Sequence, residues 1–296
     1  MHRSEAENAG PPPADTGPCE FDFRSHRPAH PLGRLVESIW YARGQITYTR
    51  EKIAPTGSSV AVFVLGDPIL QTPNDGDGPR LRADRGFLIG PHDRPVINEP
   101  TGETFAVGIV STPIGCEALF GVRPSTIRGR TIDLESAWPA AADLRAGLLA
   151  CTRPEEMLDF VADHLAANQG EVAGLDRCEQ AVAMLESEPR RPIADIAVEL
   201  GVSHGHLDRE LGRIVGLSPR ALARLLRMRR LLAGIDVRGE IDWSDRAAEL
   251  GWFDQSHLIR DFKRHTGVPP SRYLAAQRAA FSADEIDDAV GFVPER

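Results

Sequence analysis

Two stretches in the second half of the chain repeat one another, and the repeat constrains the fold more than any other feature. "PIADIAVELGVSHGHLDRELGRIVGLSP" starts at Pro192 and "DWSDRAAELGWFDQSHLIRDFKRHTGVPP" at Asp242. Ala197 and Gly201 answer to Ala247 and Gly251 at an offset of 50. One extra turn residue makes the offset 51, and Leu207, Arg209, Leu211, Gly216 and Pro219 then answer to Leu258, Arg260, Phe262, Gly267 and Pro270. An Ala four residues before a Gly lets one helix pack closely on the next, and the Gly suits the left-handed residue that ends a helix. Ser203 and Asp254 stand where the following helices need N-caps. Leu207 with Leu211, and Leu258 with Phe262, lie one turn apart and bury one face. The spacing predicts two helix-turn-helix units. "RALARLLRMRR" (Arg220 to Arg230) joins them with five arginines and no acid. Such units can place two helices in successive major grooves of DNA, roughly 34 Å apart.

The net charge of −9 argues against a nucleic-acid partner until it is mapped along the chain. Residues 1–175 carry −7, residues 176–281 carry +2 and the last 15 residues carry −4. The acid therefore lies outside the helical repeat. No apolar run approaches the roughly 20 residues of a membrane helix, and no membrane partner is expected. The four cysteines, Cys19, Cys116, Cys151 and Cys178, are far apart and show no zinc-site spacing. They read as reduced thiols of a cytoplasmic protein.

The first half has a different texture. "SVAVFVLGDP" (Ser59–Pro68), "GFLIGP" (Gly86–Pro91) and "TFAVGIVSTP" (Thr104–Pro113) are short apolar runs ending in Gly or Pro, which predicts buried strands of a barrel or sandwich. "NDGDGP" (Asn74–Pro79) is a turn between two of them. "PEEMLDFVADHLAAN" (Pro154–Asn168) reads as a helix with Pro and two Glu in its first turn. "RLVESIWYARG" and "AADLRAGLLACT" read either as a dimer seam or as helices covering the barrel. Residues 1–20 read as a disordered Pro-rich leader, 21–168 as a β-rich domain, 175–281 as a helical domain and 282–296 as a disordered acidic tail. The fold class is thus α+β. A sharper alternative to plain disorder is that the tail covers the arginine-rich helix and tempers DNA binding.

The repeat resembles the DNA-binding half of the AraC/XylS family of bacterial transcription regulators. The matching residues are "IADIAVELGVS", "LLRMRRLL" and "AAELGWFDQSHLIRDFKRHTGVPPSRYL", within Ile193 to Leu274. Arg246, Leu231 and Trp252 depart from the family's usual residues. "HPLGRLVESIW", "APTGSSVAVFVLGDP", "GFLIGPHDRP" and "FAVGIVSTPIGCEALFGV" look like the N-terminal domain of one branch of that family. The resemblance implies a cupin-like barrel that senses a small-molecule effector or forms a homodimer. It also implies promoter DNA and RNA polymerase as partners.

Helical projection of the second repeat sets Ser256, Arg260 and Lys263 opposite the buried Leu258 and Phe262, with Ile259 on the flank and Gln255 at the helix start. Arg pairs with guanine and Gln with adenine, and Ile259 suits a thymine methyl. The first repeat offers Arg209, Asp208 and His204 to the bases, with Gly205 and Gly212 on the same face. Lys263, Arg264, Arg272 and Arg213 are the expected phosphate contacts. The second repeat, net +2 over residues 251–272, is expected to do most of the reading; the first is neutral over residues 201–219.

Trp40, Tyr41, Phe63, His92 and Phe105 are candidate linings of an effector pocket, each weighed against plain core packing. No H-x-H precedes residue 200, so no metal or other cofactor is expected, nor is an enzyme. The alternative readings are a helical protein-interaction module that does not bind DNA, and a DNA-repair protein. Repair by alkyl transfer needs a clustered-cysteine zinc site, which the scattered cysteines argue against.

Overall fold

A computed structural model describes residues 21–282 and 289–295. The expected leader, residues 1–20, lies outside the described residues. Eleven strands and eleven α-helices follow one another among the described residues. The strands are β1 (Asp22–His26), β2 (Val36–Gly44), β3 (Arg50–Ile53), β4 (Val60–Val64), β5 (Ile69–Thr72), β6 (Leu81–Ala83), β7 (Gly86–Ile89), β8 (Val96–Pro100), β9 (Thr104–Ser111), β10 (Thr131–Asp133) and β11 (Phe292–Glu295). The helices of the first half are α1 (Gly115–Phe120), α2 (Leu134–Ala137), α3 (Ala141–Ala150) and α4 (Pro154–Ala167). Those of the second are α5 (Leu175–Ser187), α6 (Ile193–Glu199), α7 (His204–Ile214), α8 (Pro219–Ala233), α9 (Trp243–Leu250), α10 (Gln255–Thr266) and α11 (Pro270–Ala280).

Two antiparallel sheets make the N-terminal domain. One runs β1-β2-β9-β4-β7-β10 and the other β11-β3-β8-β5-β6. Val62, Val64, Phe87, Ile89 and Ala106 of the first sheet meet Ile69, Ala83 and Val96 of the second in the interior. The opposite face of the first sheet is covered as well. Ile39, Tyr41, Ala61, Phe63, Leu88, Val107 and Ile109 pack under Trp138, Leu144, Leu148 and Val161 of the helical layer. A strand buried on both faces reads as a continuous apolar run, which is why "VAVFV" shows no alternation.

β2 corrects the sequence reading of "RLVESIWYARG". The segment is neither a helix nor a seam but a central strand, pairing with β1 on one side and β9 on the other. Ile39 and Tyr41 enter the helix-covered core while Trp40 packs against the interior cluster. Four consecutive apolar residues, Ile39 to Ala42, hide the period of two. "AADLRAGLLACT" does form a helix, α3, packed on the sheet-covering layer through Leu144 and Leu148.

The core does not stop at the boundary between the halves. Cys178, Leu185, Ile196, Leu207, Leu211, Ile214 and Leu222 belong to the same cluster as the barrel's outer face. The second helical repeat has its own core, with Leu231, Trp252, Leu258, Phe262 and Tyr273. Ala54 and Val293, both from the five-stranded sheet or its edge, complete that second core.

The last strand corrects the expected disordered tail over Phe292–Glu295. β11 pairs antiparallel with β3, so the end of the described chain closes the barrel's second sheet. Glu295 binds Arg50 at 2.7 Å and Arg272 at 3.4 Å, and Val293 is buried. The described part of the tail therefore lies between barrel and α11, not over the arginine-rich helix α8. Residues 283–288, which carry four of its acids, lie outside the described residues.

Candidate nucleic-acid interface

Each repeat folds as a helix, a tight glycine turn and a second helix. Gly201 and Gly251 end α6 and α9 at φ 68° and 80°, and Gly216 and Gly267 follow α7 and α10 at φ 77° each. These left-handed positions strain any residue with a Cβ, which accounts for all four glycines of the repeat. Ser203 caps α7 by accepting from the His206 N–H at 3.2 Å, and Asp254 caps α10 by accepting from the His257 N–H at 2.7 Å. Ala197 and Ala247 are buried where the paired helices cross. Leu207, Leu211, Leu258 and Phe262 are fully buried.

With those faces fixed, the opposite face of α10 is open. Gln255, Ser256, Arg260 and Lys263 are exposed, and Ile259 is half-buried beside the second core. The Gln255 carboxamide oxygen accepts from the Ser244 hydroxyl at 3.2 Å, which ties the helix start to α9. On α7, His204, Asp208 and Arg209 are exposed. Glu210, the other acid of this helix, turns away from that face. It is half-buried, pairs with Arg177 of α5 at 3.1 Å and lies 3.6 Å from His206.

The expected phosphate contacts are placed differently from one another. Lys263 is exposed, and its side chain makes no hydrogen bond or ion pair among the described residues. Arg264 donates to Asp93 of the barrel at 2.5 Å. Burial alone would raise the Asp93 carboxyl, but Arg264, together with the charges of Arg128 and Arg224, outweighs it and holds the group below its ordinary value. Arg213 donates to Glu117 at 3.3 Å and to the Ala173 carbonyl. Arg272 reaches Glu295. Three of the four are thus engaged by groups outside the two repeats.

The departure at Trp252 has a local cause. Its Nε1–H donates to Asp261 Oδ2 at 2.8 Å, and the Arg227 guanidinium stacks 4.3 Å over its ring. Arg227 also donates to the Gly251 carbonyl at 3.1 Å. A phenylalanine would offer Asp261 no donor. This cluster fastens the joining helix α8 to α10. Leu231 is buried in the second core, and Arg246 pairs with Glu249 on the surface.

The five barrel candidates do not meet in one pocket. Trp40 faces the interior beside Phe23 at 6.3 Å. Tyr41, Phe63 and Phe105 sit on the helix-covered side, with Phe63 at 5.9 Å from Trp138. His92 is buried after β7, its Nδ1 at 2.8 Å from the Gly90 carbonyl. Sequence reasoning missed a polar chain inside the barrel. Tyr48 donates to Glu51 at 2.6 Å, Asn98 donates to Glu51 at 2.8 Å, and Gln71 donates to Asn98. Asn98 lies opposite Glu51 on one neighbour and opposite Gln71 on the other. The Gln71 Oε1 is buried without a partner. Burial pushes the Glu51 carboxyl up from its ordinary value, against the pull of Tyr48 and Asn98. The alternation of "REKI" and "VINEP" is the one sequence signal that could have aligned these residues.

Residues 196–276 match the family described as a helix-turn-helix domain. The chain carries a helix-turn-helix domain of the AraC type. Residues 24–133 match a domain of unknown function, DUF6597. Among solved structures, ToxT from Vibrio cholerae is similar at 14% identity over 86% of this chain and 98% of that one, with a TM-score of 0.48. Unsaturated fatty acid bound wild-type ToxT from Vibrio cholerae strain SCE256 is similar at 13% identity over 86% and 94%, with a TM-score of 0.46. No curated protein gives a significant match. The AraC-type domain makes this a DNA-binding transcriptional regulator. No helix among the described residues is long and apolar enough to cross a membrane.

Proposed function

We propose that this regulator reads promoter DNA mainly through α10, in the cytoplasm, and alters transcription by recruiting or blocking RNA polymerase. The supporting observation is the single open face of α10, where Gln255, Ser256, Arg260 and Lys263 are exposed together on a helix whose other face is fully buried. Arg260 and Gln255 carry base recognition, Ile259 supplies an apolar contact, and Lys263 binds phosphate. α7 contributes Arg209, with His204 and Asp208 beside it, and chiefly positions the domain. Arg213, Arg264 and Arg272 add phosphate contacts only when their acid partners release them. The barrel is not catalytic. It senses a small molecule, a reading supported by the polar chain Tyr48–Glu51–Asn98–Gln71 within an apolar interior.

The test is binding of the full chain to a duplex enriched from a random-sequence pool, across a salt series. A steep fall in affinity with salt, and one enriched sequence, support the reading. Enrichment of no sequence favours the protein-interaction module instead.

A further inference from the structure

A groove of about 390 Å³ runs between the two repeats. Its floor is α8, one wall is α10, and the other is the segment entering α6 at Ile193. The side chains that matter are Arg191, Arg220, Arg224, Arg227, His257 and Asp261. Two of the arginines are already neutralised, Arg191 by Glu199 and Arg227 by Asp261. The side chains of Arg220 and Arg224 make no hydrogen bond or ion pair among the described residues, and the Arg224 Nε is buried without a partner. Among the described residues, the acid whose charge acts on Arg224 is Asp93, which Arg264 already holds. The two stand four residues apart, on one face of α8.

The groove also adjoins the reading face. His257, on its α10 wall, precedes Arg260 by three residues and is its neighbour on the helix surface. When two reading helices occupy successive major grooves, the stretch between them spans the intervening minor groove and its phosphates. A guanidinium fork matches phosphate oxygens two at a time. Asp261, the one acid of the groove, is held by Trp252 and Arg227 and does not repel an anion at full charge.

We propose that Arg220 and Arg224 form a seat for phosphodiester groups of the DNA strand lying between the two reading sites. The inference rests on the DNA reading proposed above and adds to it the contact that joins the two half-sites. Such contacts carry no base information; they fix the separation and orientation of the readers. They also remain available while Arg213, Arg264 and Arg272 are engaged.

The experiment compares the full-length wild type with Arg220→Ala, Arg224→Ala, the double variant and Arg224→Lys, on a duplex enriched by the wild type. Each lost phosphate contact should flatten the slope of log affinity against log salt by about 0.9. The double variant should lose affinity equally for enriched and scrambled duplexes, with the melting temperature unchanged. Arg224→Lys should keep most of the slope. Ethylation of phosphates between the two footprints should block the wild type and not the double variant. A wild-type slope in the double variant would overturn the seat. So would protection of the wild type alone by inorganic pyrophosphate with the DNA slope unmoved, which would make the groove a small-anion site. If Arg224→Ala does not fold, the exposed Arg220→Ala carries the slope test alone. A wild type with no salt-dependent DNA binding defeats the DNA reading itself, and is distinguishable from failure of the seat.

Discussion

Arg264 of the second reading helix donates to Asp93 of the barrel at 2.5 Å. With Arg213 on Glu117 and Arg272 on Glu295, it belongs to a set of arginines in the helical half held by acids outside the two repeats. DNA phosphates and these acids compete for the same guanidinium groups. Asp93→Asn should therefore tighten binding. A partly exposed ion pair is worth about 0–1 kcal/mol, so the gain should be no more than about fivefold at low salt. Fluorescence anisotropy of a labelled duplex measures it, and unchanged or weaker binding would count against the competition.

The two readers should contribute unequally. Arg260→Ala should cost on the order of 1–3 kcal/mol of binding and relax preference at one base position. Arg209→Ala should cost less, because its helix presents Gly205, Asp208 and Gly212 where α10 presents Ser256, Ile259 and Lys263. A larger loss from Arg209→Ala in the same titration would reverse the assignment.

Trp252→Phe keeps the ring but removes the donor to Asp261. Hydrogen bonds to charged groups contribute about 1.5–3 kcal/mol, so chemical denaturation should show a loss of that order. A variant as stable as wild type would mean that the cluster with Arg227 does not fasten α8 to α10.

Much of the helical half was legible because its signals are local. Gly201, Gly251, Ser203 and Asp254 each act within one turn, and all appear in the expected roles. The barrel was harder. β4 and β7 declared themselves as apolar runs, yet β2 hid its alternation because both of its faces are buried. β3 and β11 are short and partly charged, and Glu51 looks like a surface residue until its partners on β8 and β5 are known. The arginine partners were invisible for a related reason. Asp93 and Arg264 are 171 residues apart, and no spacing rule links them.

The tail carries a structural prediction in place of the expected cover for α8. Gln277 donates to the carbonyls of Ala289 and Phe292, and the Tyr273 hydroxyl accepts from the Gly291 N–H at 3.1 Å. Tyr273→Phe should cost about 1 kcal/mol. Removing residues 289–296 should cost more, since it also uncovers Val293 and the second core. Thermal melts should show that order. A truncated chain as stable as the full one would mean β11 contributes nothing.

Acid should destabilise the fold before most carboxylates titrate. Burial pushes His92 and His265 below the ordinary 6.5. Each ring donates from Nδ1 to a carbonyl, and each Nε2 is buried without a partner, so the charged form has an N–H with nowhere to go. The unfolded chain binds these protons below about pH 6.5 and the folded chain does not. The contribution of these two histidines to stability is therefore constant above that pH and is lost as pH drops below about 6.5. His92→Gln should flatten part of the fall. A melting temperature level across that window would contradict the burial.

The most direct measurement is a footprint of the full chain on a duplex enriched from random sequence, repeated with Arg260→Ala. The expected result is two protected major-groove patches about one helical turn apart. Arg260→Ala should weaken the base preference in one patch alone. A single patch, or a preference indifferent to Arg260, would contradict a two-part reader led by α10.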